Sequence, residues 1–101
     1  MRTIAHWVDG KYYEGNPIGR FAVENPGTGE VEAELLQASD ADLDHTVEVA
    51  RRAQKEWAKV SLAKRTAIMF RMRQLVLDHQ DEMAKMIVAE HGKNYSDAVG
   101  E

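Results

Sequence analysis

The chain has no cysteine. A disulfide framework, a thiolate zinc site and a cysteine nucleophile are therefore excluded for these 101 residues. Proline is nearly as scarce: Pro17 and Pro26 are the only two, so nothing of that kind interrupts a helix later in the chain. Long apolar runs are missing too, and no stretch approaches the roughly 20 residues that span a bilayer. The start, Met1-Arg2-Thr3-Ile4-Ala5-His6-Trp7, has no apolar segment behind its basic residue and does not read as a signal peptide. A cytoplasmic location with no membrane partner is the expectation. Positive charge is not in excess: 13 Lys and Arg face 17 Asp and Glu, for a net charge of −4. That balance argues against nucleic acid as a partner.

What is present suits a soluble globular chain: 44% hydrophobic and 30% charged residues, with no low-complexity segment or repeat. A chain of this length buries only about 60–65% of its unfolded surface. That allows a modest core, and is too little for a cofactor fold plus a substrate domain.

Residues 1–38 and 39–101 differ in character. Asp9-Gly10 between Ile4-Ala5-His6-Trp7-Val8 and Lys11-Tyr12-Tyr13 predicts a hairpin over 4–13, because a primed turn needs positive φ at both central residues. Asn25-Pro26-Gly27-Thr28-Gly29 predicts the turn of a second hairpin over 21–36, with proline presetting φ and Gly27 supplying a positive one. Val31, Ala33 and Leu35 alternate with Glu30, Glu32 and Glu34, so one strand face should be packed and the other wet.

Helices are expected at about 40–59, 62–78 and 81–91. Ser39 and Ser61 stand as caps, Asp40 and Asp42 suit the positive end of the first dipole, and Gly92 is a left-handed stop. Leu43, Val47, Ala50 and Trp57 form one stripe; Ala67, Ile68, Met72, Leu75 and Val76 form another; Met83, Met86 and Ile87 a third. Asp78-His79-Gln80-Asp81 marks a break with a fresh cap. Trp7 and Trp57 are expected as packing anchors. Ser96-Asp97-Ala98-Val99-Gly100-Glu101 reads as the first turn of another helix, at which the sequence stops.

Several segments together resemble the aldehyde dehydrogenase superfamily. They are His6-Trp7-Val8-Asp9-Gly10-Lys11, Asn25-Pro26-Gly27-Thr28-Gly29-Glu30-Val31, Ala53 and Trp57 followed by Ala63-Lys64-Arg65, and Met69-Phe70-Arg71-Met72-Arg73 with Leu75. Glu90-His91-Gly92-Lys93 with Ser96-Asp97-Ala98 and Gly100-Glu101 is similar to the methylmalonate-semialdehyde branch, whose members oxidise the semialdehyde with NAD and pass the acyl group to coenzyme A. The sequence departs from the pattern at Gly27 and at Asn94-Tyr95.

The turn chemistry and the capped periodic segments predict an α+β chain, N-terminal β-hairpins followed by three amphipathic helices, and the resemblance implies that it is one incomplete piece of an NAD-binding domain. It implies that the family's cysteine nucleophile, glutamate base and oxyanion-holding asparagine lie beyond Glu101, as do the segments that grip the dinucleotide. No catalytic, cofactor-binding or metal-binding residue is therefore assigned here. NAD and coenzyme A are expected of the family, and the chain alone is expected to be inactive.

The residues themselves agree. Gly15, Gly19, Gly27 and Gly29 do not make Gly-x-Gly-x-x-Gly, and Gly92-Lys93 is followed by Asn94 rather than a hydroxyl residue. His45, His79 and His91 lack a second histidine at ligand spacing, so surface or structural roles are favoured over a metal. Asp78, His79, Asp81 and Glu82 form a polar knot that fits a capped helix break better than an acid–base site. The basic run Lys59, Lys64, Arg65, Arg71 and Arg73 fits a solvated helix face better than a nucleic-acid surface. Two readings stand: a fragment of a semialdehyde dehydrogenase, or a stand-alone interaction module that associates with itself or with the rest of the enzyme. Self-association through apolar helix faces is the expected partner chemistry.

Overall fold

A computed structural model describes all 101 residues, in two compact units. The first comprises Met1–Glu24 with Val31–Lys59; the second comprises Asn25–Glu30 with Val60–Glu101.

In the first unit, β2 (His6–Val8) and β3 (Lys11–Tyr13) pair antiparallel, with Trp7 opposite Tyr12. Asp9 and Gly10 both take positive φ, 57° and 71°, as the primed turn requires. A three-stranded sheet is ordered β1 (Arg2–Ile4), β5 (Val31–Gln37), β4 (Gly19–Glu24). Its β4–β5 pair is the second hairpin, with an irregularity at Val23/Glu24. Strand β1 was not expected: it pairs parallel with β5, Arg2 opposite Ala33, so the first hairpin begins at His6 instead of Ile4.

The alternation on β5 holds only in part. Ala33 is buried, but Leu36, on the opposite parity, is buried as well, and Val31 is exposed. A central strand covered on both faces reads as continuous rather than alternating. After it, α1 (Asp40–Trp57) starts in a capping box: Ser39 accepts from the Asp42 N–H, and Asp42 accepts from the Ser39 N–H. The stripe expected to pack is largely uncovered, with Leu43 and Val47 exposed. Trp7 and Trp57 are exposed too, so neither anchors a core.

In the second unit the turn keeps the expected place with different chemistry. The Thr28 and Gly29 N–H groups donate to the Asn25 carbonyl, and the Gly27 N–H donates to the Asn25 side chain. Gly27 does not take positive φ; Gly29 does, at 76°. Ser61 caps α2 (Leu62–Asp78) as expected, through the Lys64 N–H. α3 (Gln80–His91) follows after His79, but no side chain caps its start, so the break lacks the expected fresh cap. Gly92 closes α3 at φ 82°. A Cβ there would stand 3.0 Å from the Pro26 ring, so glycine also permits this close approach. α4 (Tyr95–Val99) is capped by Asn94 and starts at Tyr95, one residue before the expected turn, and packs on α3 through buried Ala98 and Ala84.

Helix α2 departs most from its reading as an amphipathic helix. Leu62, Phe70 and Leu77 lie off the Ile68–Met72–Leu75–Val76 stripe, so apolar residues surround the axis, and no residue of α2 is buried. A helix apolar on all sides belongs in the interior of a larger body. The buried apolar set is correspondingly small: Val8, Ala33, Leu36, Ala84 and Ala98. No helix is long and apolar enough to cross a membrane.

Candidate functional site

The densest polar arrangement centres on Asp42, which is buried in the first turn of α1. Its Oδ1 accepts from the Tyr13 hydroxyl at 3.1 Å and from the Asn16 N–H at 3.0 Å. Its Oδ2 accepts from the same Asn16 N–H at 3.1 Å and from the Ser39 N–H at 3.1 Å. The carboxylate thus ties the end of the first hairpin, the loop after it and the β5–α1 turn to one point. Donation from the Asn16 amide, then from that of Ser39, holds its pKa down to about 2. Burial, then the facing Asp42 carboxylate, pushes the Tyr13 phenol up. The His45 ring lies tilted against Tyr13, with centroids 5.3 Å apart.

Gly15 completes the clamp. Its φ is +62°, and a Cβ on it would fall 2.3 Å from Asp42 Oδ1. Only a glycine lets the backbone pass so close to the carboxylate. An ionised carboxylate whose oxygens are taken by three donor groups is neither a proton donor nor a free base at neutral pH. Asp42 positions the backbone; it does not react.

The arrangement also bears on a dinucleotide. The β5–α1 turn, Gln37-Ala38-Ser39, is the strand-to-helix corner where a pyrophosphate would sit on free amides. The Ser39 and Asp42 amides are satisfied by the capping box, and Asp40 and Asp42 place negative charge where the phosphates would come. Two amides taken and two acids in place make this corner unfavourable for a phosphate.

In the second unit, the polar knot separates into independent pairs. Asp78 accepts from the Gln74 amide at 2.8 Å, and His79 Nδ1 stands 3.2 Å from Glu82. Asp81 binds Lys85 Nζ at 2.8 Å and accepts from the Tyr95 hydroxyl at 2.8 Å. Lys85, then Tyr95, lowers the Asp81 pKa; Asp81 in turn raises those of Lys85 and Tyr95. Lys93 pairs with Glu101 and lowers its carboxyl pKa. No three metal-ligating side chains converge anywhere in the chain. An open groove of about 300 Å³ lies at the α2–α3 junction, lined by Met72, Leu75, Val76, Met83 and Met86 together with His79 and Glu82.

The sequence reading missed the clamp. Ser39-x-x-Asp42 is a capping-box signature and could have been read as one. Tyr13 and Asn16 could not, because their meeting with Asp42 is made by the fold.

Comparison with known proteins places these elements. The aldehyde dehydrogenase family pattern matches residues 12–101. The chain belongs to the aldehyde dehydrogenase family. A malonate-semialdehyde dehydrogenase of Oceanobacillus iheyensis is 38% identical over all 101 residues, which make up 21% of that protein. A solved methylmalonate-semialdehyde dehydrogenase from Oceanimonas doudoroffii superposes with a TM-score of 0.94 at 35% identity, over 99% of this chain and 20% of its own. A Sinorhizobium meliloti structure described as a protein of the same kind, complexed with NAD, gives a TM-score of 0.95 at 39% identity, again over 99% and 20%. The chain spans about a fifth of the length of these aldehyde dehydrogenases.

Proposed function

We propose that this chain forms the N-terminal portion of an NAD-dependent, coenzyme A-acylating dehydrogenase of methylmalonate or malonate semialdehyde, supplying scaffold rather than reacting groups. The observation that carries this reading is the superposition of 99% of this chain on a fifth of a relative described with NAD bound. Acylating aldehyde oxidation needs a thiolate nucleophile, and these residues contain none. The nucleophile, the base and the dinucleotide grip come, on this reading, from the part of the fold that the longer relatives possess beyond the matched segment. The contribution made here is rigid placement: the Asp42 clamp and the paired helices α3 and α4 hold surfaces on which that part builds.

Replacing the matched fifth of the Oceanobacillus iheyensis relative with these 101 residues tests the proposal. The graft is expected to keep its steady-state oxidation rate within about tenfold, because no reacting atom is exchanged and misplacement by an ångström would already cost about a hundredfold. A graft that folds but shows no turnover, or one that does not fold, overturns the equivalence of the two segments.

A further inference from the structure

We propose that Asp9-Gly10, the turn of the first hairpin, is a modification site: the Asp9 carboxyl closes onto the Gly10 nitrogen as a succinimide whenever the β2–β3 ladder opens, and hydrolysis leaves isoaspartate. The inference stands on the geometry of this turn and does not depend on the parent activity.

Ring closure needs a carboxyl free to turn, a following amide outside any ladder, and no side chain over that amide. Asp9 and Gly10 are both exposed, and the Asp9 carboxylate is in no ion pair. The strand pairing closes on Val8 and Lys11, so the Gly10 N–H lies outside it. Nothing comes within 4 Å of where a Cβ on Gly10 would stand. The fold denies the same chemistry elsewhere. Every other aspartate stands in a helix, where fixed backbone angles keep a carboxyl from the next amide. Asn16 and Asn25 precede proline, which has no N–H. Asn94 is engaged as the α4 cap, ahead of a tyrosine.

Closure also requires Asp9 to leave its turn angles. Strands β2 and β3 have three residues each and pair only with each other. A two-stranded ladder of that length is weak by itself and opens locally. Asp9 is the only residue other than glycine at positive φ, 57°, so opening relieves a costly backbone conformation. What opposes opening is the burial of Val8 and the Tyr13 hydroxyl, which donates to Asp42 from the end of β3.

The chemistry balances with water alone. The Gly10 nitrogen attacks Asp9 Cγ, and its proton leaves with the carboxyl hydroxyl as water. Water then adds back. Addition at Cγ restores aspartate. Addition at the Asp9 main-chain carbonyl carbon breaks the bond from that carbon to the Gly10 nitrogen, and the chain now runs through Cγ. The turn is then one carbon longer, so the tight primed geometry no longer closes the Val8–Lys11 pair.

Incubation of the whole chain at neutral pH, sampled over days, should show isoaspartate in the tryptic peptide Thr3–Lys11 before any other. Electron-transfer fragmentation separates it from aspartate of equal mass. Asp9→Glu, whose side chain is one methylene too long for the ring, should give none. Tyr13→Phe removes the tie to Asp42 and should raise the rate roughly three- to tenfold, the weight of one hydrogen bond. Amide exchange of the β2–β3 ladder, which reads the opening itself, should rise by the same factor. Circular dichroism establishes that the variant retains its helices. Isoaspartate absent at Asp9, or appearing first elsewhere, overturns the proposal. So does a Tyr13→Phe chain whose ladder opens faster while isoaspartate forms no sooner.

Discussion

Gly15→Ala is expected to destabilise the first unit by at least about 2–3 kcal/mol, far more than alanine at any other positive-φ glycine in an open turn. Two costs add. The left-handed backbone, at φ +62°, costs an L-residue about 1 kcal/mol. The new Cβ would also stand 2.3 Å from Asp42 Oδ1 and 2.6 Å from its Cγ. That carboxylate cannot swing away without releasing the Tyr13, Asn16 and Ser39 donors together. Gly29→Ala is the control: φ is +76°, nothing lies within 4 Å of its Cβ position, and only the backbone cost of about 1 kcal/mol applies. Urea unfolding followed by circular dichroism reads both. In an Asp42→Ala background the cost of Gly15→Ala should fall to the Gly29 level, since the clash is gone. Equal costs for the two glycines in the native background would show that the clamp does not constrain the loop.

Asp42→Asn is expected to lower the melting temperature by roughly 10 °C near neutral pH. The amide keeps the shape but offers one acceptor oxygen in place of two, and turns an N–H₂ toward backbone donors. The pH dependence is distinctive. Asp42 has its folded pKa depressed from 3.8 to about 2. Its stabilisation is therefore fully present above the unfolded value and is lost as pH falls through the folded one. The gap between the native chain and Asp42→Asn should be constant above about pH 5 and should shrink between about pH 4 and pH 2. Asp81 and Glu101, also lowered, titrate in both proteins and cancel from the difference. A gap that persists unchanged to pH 2 would mean that the ionised form is not what the amides of Asn16 and Ser39 recognise.

Local chemistry made much of this fold legible. Asp9-Gly10, Ser39, Ser61 and Gly92 each fix one backbone feature through their own conformational limits, and each lies where the sequence places it. The α1 and α2 starts follow directly. What was not legible depends on partners distant in sequence. The parallel pairing of Arg2–Ile4 with β5 has no local mark, because β1 is three residues long and gains its place from a strand about thirty residues on. Tyr13 and Asn16 gain their role only when Asp42 arrives beneath them. Asn94 caps α4 because its side chain reaches the Asp97 N–H, so the helix starts one residue before the expected turn. The apolar stripes of α2 and α3 read as faces shaped for absent partners, and Ile68, Met72, Leu75, Val76, Met83 and Met86 are exposed; periodicity marks which residues seek burial, and says nothing of what supplies the cover.

The central claim is that these residues carry the architecture of the family without its chemistry. NADH formation at 340 nm, with methylmalonate semialdehyde, NAD and coenzyme A supplied to the purified chain, tests it most directly. The account predicts a rate equal to the no-protein control and no saturable binding of NAD, since no thiolate is present and Asp42 takes the Ser39 amide and places its charge at the β5–α1 corner. Turnover above that control, abolished by heat denaturation of the chain, would contradict it.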